Sequence, residues 1–114
     1  MCTPTRVGFI TERYQQRVAP VLEAAIGNAS SAHAEVGLPA TGRSLPQLLK
    51  NNGYATALIG EWHLGYRANF TPNAHGFDHF LGFLSGYIDF CQHTDGAGAP
   101  TSSRTAPPSR ERAI

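Results

Sequence analysis

Ser44-Leu45-Pro46-Gln47-Leu48-Leu49-Lys50-Asn51-Asn52-Gly53-Tyr54-Ala55-Thr56-Ala57-Leu58-Ile59-Gly60-Glu61-Trp62-His63-Leu64-Gly65 decides the fold class. Ser44 with Gln47 reads as a capping box at a helix start, because each side chain can satisfy an orphan backbone N–H. Leu45, Leu48 and Leu49 supply an apolar face, and Asn52-Gly53 ends the helix. Tyr54 to Ile59 follows as a short, mostly apolar run, which predicts a fully buried parallel strand. Helix followed by strand implies an α/β sheet. Ligands in open α/β sheets bind beyond the carboxyl ends of strands, which is where this order places Glu61, Trp62 and His63.

Upstream, Thr3-Pro4 predicts a helix start, with Thr3 as cap and proline in the first turn, where its missing N–H costs nothing. Val7, Ile10 and Tyr14 then share one face. Cys2 sits at the N-terminus of that helix, where free N–H groups and the dipole favour an anion. Ala19 to Ser31 is helix-permissive but weakly patterned, and Gly37 to Gly42 reads as loop. Downstream, the aromatic-rich Phe77–Phe83 run predicts a short helix against the sheet, and Tyr87 to Phe90 the start of another strand. From Asp95 onward no large apolar residue occurs before Ile114. That separates residues 1–94, which can form a packed unit, from 95–114, predicted as a low-complexity, disordered tail.

A chain of 114 residues forms one small domain at most. A net charge of +1 without a basic run speaks against a nucleic-acid or anionic-membrane partner. No apolar run reaches the length of a membrane span. Cys2 and Cys91 are the only cysteines, too few for a disulfide framework. Met1 stands directly against Cys2, with no signal peptide between, which reads as an internal fragment of a longer protein. Asn28-Ala29-Ser30 and Asn69-Phe70-Thr71 match the glycosylation triplet, which is frequent by chance.

The order of five short segments carries more than any one of them. Cys2-Thr3-Pro4-Thr5-Arg6, Thr11-Glu12-Arg13-Tyr14, Ala57-Leu58-Ile59-Gly60, Gly60-Glu61-Trp62-His63-Leu64-Gly65 and His75-Gly76-Phe77-Asp78-His79-Phe80-Leu81-Gly82-Phe83 together resemble the sulfatase family. The resemblance runs from Cys2 to about Pro100. It implies a fragment of an alkaline-phosphatase-like three-layer α/β sandwich and a parent that hydrolyses sulfate esters. Cys2 matches the cysteine that a formylglycine-generating enzyme oxidises within a Cys-x-Pro-x-Arg pattern. The resulting formylglycine hydrates, one hydroxyl attacks sulfur, and the second later expels sulfate; an unmodified thiol lacks that second hydroxyl. Arg6 matches the arginine that steadies the hydrated aldehyde, and His63 the histidine that accepts its proton, a task suited to an imidazole.

Two positions depart from the family. Glu61 stands where the family has a sulfate-binding lysine, so the anion pocket is charge-inverted. Glu12 stands where the family has the glycine of Thr-Gly-Arg; a left-handed backbone there would cost a side chain roughly 1 kcal/mol. The resemblance also implies a divalent cation, Ca2+, bound by formylglycine and by carboxylates elsewhere in the family domain. Of those ligand positions only Cys2 lies in this chain. Asp78, Asp89 and Asp95 read as surface or capping residues, and His33, His75, His79 and His93 as surface or packing histidines. Three readings follow: a sulfatase fragment inactive by itself, a non-catalytic remnant of a sulfatase gene, and a small α/β binding module with a coincidental motif. The implied substrate is a small-molecule or saccharide sulfate ester, with aryl sulfate, glycosaminoglycan and other sulfated sugars all open. Family members are usually periplasmic, secreted or lysosomal.

Overall fold

A computed structural model describes residues 1–27, 32–95, 98 and 102–105. Helix α1 spans Cys2–Thr11 and buries Thr3, Pro4, Val7 and Ile10, a set spaced to cover one helical stripe. Its end is a left-handed residue, Glu12, with φ 56° and ψ 28°. Tyr14 does not extend the stripe. It lies beyond that turn, leads into the short α2 (Gln15–Val18) and is exposed. The weakly patterned stretch that follows contributes one 3-10 turn, Pro20–Glu23, whose Leu22 is fully buried.

Helix α3 spans Leu45–Asn51 and begins as the sequence predicts. Ser44 Oγ accepts the Gln47 N–H at 3.4 Å and donates to the His75 carbonyl at 2.6 Å. Gln47 completes no capping box, because its amide donates instead to Asn51 Oδ1 at 2.9 Å. Gly53, at φ 86°, closes the helix.

Three strands form the sheet in the order β1-β2-β3: β1 (Ala57–Glu61), β2 (His79–Phe83) and β3 (Ser102–Arg104). β1 and β2 are parallel, with Leu58 opposite Phe80 and Ile59 opposite Leu81. Thr56 and Asp78 start the pair together. The Thr56 N–H donates to Asp78 Oδ2 at 3.0 Å, and the Asp78 N–H donates to the Thr56 carbonyl at 2.9 Å. The chain is therefore α/β, with the core on the sheet face that carries Leu58 and Phe80. Val7, Ile10, Leu22, Ile26, Leu38, Trp62, Leu64 and Phe80 make up that core.

Four further expectations, on the strands and the tail, need correction. β1 is not buried on both faces: it is an edge strand, and Ile59 is exposed. Phe77–Phe83 is not helical, because parallel pairing with β1 satisfies its backbone and alternation buries Phe80 while leaving Leu81 outside. Tyr87–Phe90 forms a turn with one isolated bridge, Asp89 to Thr94, and no strand. The tail from residue 95 is not structureless throughout: Ser102–Arg104 pairs antiparallel with β2, and the Thr105 N–H donates to the Phe80 carbonyl at 3.0 Å. Composition measured only the tail's missing apolar surface. An edge strand is held by main-chain hydrogen bonds, which small polar residues make as well as any others. The first glycosylation triplet and residues 106–114 lie outside the described residues. Among the described residues no helix is long and apolar enough to cross a membrane.

Candidate active site at the end of β1

The site is built where the first turn of α1 meets the carboxyl end of β1. Thr3, fully buried, makes the join. Its hydroxyl donates to the His63 carbonyl at 3.0 Å and accepts the Ile26 N–H at 3.2 Å. Thr3 is thus no helix cap; Met1 holds that position without a side-chain bond. Because Cys2 is the preceding residue, the clamp on Thr3 sets the thiol over the strand end.

Past Glu61 the parallel ladder continues without a regular strand: the Trp62 N–H donates to Phe83 O at 2.8 Å, and the His63 N–H to Leu84 O at 3.1 Å. Trp62 turns inward, where its indole N–H donates to the Phe70 carbonyl at 2.8 Å. His63 adopts φ 55°, an uncommon backbone for a residue with a side chain. Such a conformation costs of order 1 kcal/mol and persists where neighbours fix it. Here the Thr3 bond, the Leu84 bond and the ring itself do so. Gly86 lies against that ring, so close that a Cβ at residue 86 would come within 2.6 Å of His63 Cε1.

His63 is buried, with Nε2 2.7 Å from the Ile26 carbonyl. A carbonyl only accepts, so Nε2 carries the proton, and in the neutral ring Nδ1 carries the lone pair. Nδ1 has no hydrogen-bond partner and faces Glu61 Oε1 at 3.6 Å. Cys2, Glu61 and His63 each bring one ligating atom within 4.8 Å of the others. Arg6 closes the group from the rim. Its Nε donates to the Glu61 carbonyl at 3.1 Å, and Nη1 stands 3.0 Å from Glu61 Oε1. That approach lies off the N–H direction, which leaves Oε1 ion-paired but without a hydrogen bond. Cys2 is exposed.

The structure thus gathers all four residues singled out in the sequence, Cys2, Arg6, Glu61 and His63. Sequence reasoning missed the Ile26 carbonyl, Thr3 as a clamp and Gly86. A main-chain carbonyl has no sequence signature, and Thr3 had a simpler reading as a cap. His75 is a packing residue, its two ring nitrogens at 2.9 Å from Thr71 O and 3.0 Å from Leu38 O. Asp78 binds Lys50 at 2.9 Å; that contact and the Thr56 N–H hold its carboxyl below the usual range. Burial pushes the Tyr66 phenol up, and its hydroxyl donates to Gly27 O at 2.6 Å.

The Sulfatase family model matches residues 1–106 of this chain. The chain belongs to the Sulfatase family. Mouse steryl-sulfatase is 38% identical over 104 residues, covering 86% of this chain and 16% of the relative. Mouse arylsulfatase J is 40% identical over 94 residues, 82% of this chain and 15% of the relative. Pig N-acetylgalactosamine-6-sulfatase is 38% identical over 86 residues, 72% of this chain and 16% of the relative. Among solved structures, the crystal structure of Ps i-CgsB superposes with a TM-score of 0.66 at 32% identity, covering 75% of this chain and 18% of that one. A second structure of Ps i-CgsB, in complex with k-i-k-neocarrahexaose, gives the same TM-score at 31% identity. This sulfatase chain spans about one sixth of the length of those curated relatives. The match extends past Pro100, where the motif resemblance stops, and takes in β3.

The Ca2+ that the family implies finds no adequate donor set in the cluster. A hard cation takes about six to eight oxygens. Cys2, Glu61 and His63 offer one thiol, one carboxylate and one imidazole. The residues present do not fit calcium.

Proposed function

We propose that this segment carries the nucleophile corner of a sulfuric-ester hydrolase, with Cys2 converted to formylglycine by a formylglycine-generating enzyme. The supporting observation is the convergence of Cys2, Glu61 and His63 within 4.8 Å under a helix N-terminus. The hydrated aldehyde supplies the attacking oxygen. His63 accepts a proton at Nδ1, the ring atom left unpartnered when Nε2–H donates to Ile26. Arg6, one helical turn beyond Cys2, holds charge at the rim. The substrate is a small-molecule or saccharide sulfate ester; the sterol, aryl and amino-sugar sulfatases among its relatives and the carrageenan-type oligosaccharide bound to Ps i-CgsB support that class.

By itself the chain does not turn over. Glu61 places a carboxylate where a sulfate would sit and also occupies the Arg6 guanidinium. In a site sheltered from water, exchanging one cationic contact for an anionic one costs several kcal/mol of transition-state stabilisation. That same observation favours the second reading, a remnant without enzymatic function. The test grafts residues 2–98 into a complete sulfatase, with and without Glu61→Lys, and assays both with a chromogenic aryl sulfate. Lysine should raise turnover by about 100-fold or more, the loss seen when one charge-stabilising donor is removed. Equal activity in the two grafts would overturn this reading of the pocket. Mass spectrometry of the Cys2 peptide, after co-expression with a formylglycine-generating enzyme and with a leader segment placed before Met1, should show partial aldehyde; thiol alone counts against it.

A further inference from the structure

Glu61 Oε1 and His63 Nδ1 pose a problem that ester hydrolysis does not resolve. Both are buried, both lack a hydrogen bond, and in the neutral ring, with Nε2–H on the Ile26 carbonyl, both are acceptors. Two acceptors facing each other at 3.6 Å call for a positive charge between them, which a proton on Nδ1 or a metal cation can supply. Donors sharing one tetrahedral ion, with bonds of about 2.0–2.1 Å, stand roughly 3.3–3.5 Å apart. The observed separation is already close to that value. Cys2 adds a sulfur within 4.8 Å of the other two atoms.

We propose that, with Cys2 left as a thiol, Cys2 Sγ, Glu61 Oε1 and His63 Nδ1 form a three-ligand site for a borderline divalent cation such as Zn2+. Thiolate, imidazole and carboxylate are the donors zinc prefers, and three protein ligands leave a fourth position for water. His63 has the outer contact such ligands require. Its Nε2–H donates to the Ile26 carbonyl at 2.7 Å, which orients the ring and frees Nδ1 for a metal. Burial of His63 and its packing against Gly86 keep the ring in place before any ion arrives. Arg6 opposes the ion, since its guanidinium already neutralises Glu61, but its side chain is 31% exposed and can withdraw toward solvent. Binding releases the Cys2 thiol proton to solvent and involves no oxidation or reduction. Glu61, the residue that spoils an anion pocket, is what completes this cation site.

The site and the proposed hydrolysis exclude each other in one molecule, because converting Cys2 to the aldehyde removes the thiolate on which the metal site depends. The full chain is produced without a formylglycine-generating enzyme, in a Cys91→Ser background, and titrated with Co2+ and then Zn2+ under reducing conditions. One Co2+ per chain should bind with a thiolate-to-cobalt charge-transfer band, and Zn2+ should displace it. Cys2→Ser should abolish the band and weaken Zn2+ by about 100-fold or more, and Glu61→Gln by about 10- to 100-fold. Arg6→Met should tighten binding several-fold, a gain that nonspecific chelation would not show. Cys2 is exposed at a helix end, so its serine variant keeps the fold, which circular dichroism checks. Absence of the band in the Cys91→Ser chain, or its survival in Cys2→Ser, overturns the proposal. Neither readout uses a sulfate ester, so failure here is distinct from failure of the proposed hydrolase function.

Discussion

Leu58 pairs with Phe80 across the β1–β2 ladder, and Ile59 pairs with Leu81 one residue on. Phe80 is 3% exposed, whereas Ile59 is 78% and Leu81 53% exposed. Adjacent positions of one strand pair therefore meet opposite fates. The inner face is closed by α1, Leu22, Leu38 and Trp62, and the candidate site lies at the carboxyl end of β1. The outer face is open around Ile59 and Leu81, while Phe83 farther along β2 packs edge-on against Phe90, with ring centroids 5.6 Å apart. A second opening lies along α1, where a cleft of about 250 Å³ runs between Phe9 and Leu49 and one of about 300 Å³ runs from Phe9 to Arg6 and Glu61. The lesson is local: the site corner is tied by its own hydrogen bonds and by one buried cluster, and only Arg6 and Glu61 reach an open cleft.

The largest break in that comparison comes from the closed face. Trp62→Ala removes a side chain 1% exposed and strands the Phe70 carbonyl that accepted its N–H. It should cost about 3–5 kcal/mol in urea unfolding. Ile59→Ala, on the open face, should stay within roughly 0.5 kcal/mol. Similar costs at both positions would mean that the outer face is covered in solution.

Thr3→Val tests the clamp at nearly constant volume. It leaves the His63 carbonyl and the Ile26 N–H without their partner. Each buried orphan costs about 1–3 kcal/mol, so a loss of at least about 2 kcal/mol is expected by chemical denaturation. If Thr3 holds the site corner together, the His63 ring signals should also shift in the NMR spectrum. Unchanged stability would show that Thr3 is a bystander.

How much of this was legible follows from the range of each interaction. The α3 start, the Asn52-Gly53 stop and the β1 direction depend on neighbours in sequence, and these could be read from Ser44, Gly53 and the apolar run. Phe77–Phe83 could not, because its strand character comes from pairing with residues 22 positions earlier. The fate of Leu48, exposed on the face assigned to the core, depends on what covers α3 and not on its own pattern. At the site, side chains with distinctive chemistry announced themselves. The carbonyl of Ile26 and the contact surface of Gly86 did not.

Asp78 provides a pH probe of the junction opposite the site end of the sheet. Lys50 and the Thr56 N–H depress its folded-state pKa below the ordinary value near 3.8. A depressed carboxylate adds stability that is fully present above the unfolded-state pKa and fades as pH falls through the folded one. Stability should therefore decline below about pH 4, and Asp78→Asn should flatten that decline while costing about 1 kcal/mol at neutral pH. Parallel acid profiles for the two proteins would remove Asp78 from the account.

The smallest effect should be a gain. Glu12 ends α1 at φ 56° and ψ 28°, in the left-handed region where a Cβ crowds the following carbonyl. Glycine avoids that cost of about 1–2 kcal/mol but loses more backbone entropy on folding, which offsets about half of the gain. Glu12→Gly should therefore stabilise the chain by about 0.5–1 kcal/mol. Glu12 is exposed, with Arg13 beside it in sequence, so charge offers a competing explanation for any change. Glu12→Ala separates the two, because it removes the carboxylate and keeps the Cβ. If backbone strain governs, alanine should give no gain and glycine should; equal gains from both would assign the effect to charge and leave the helix end unstrained.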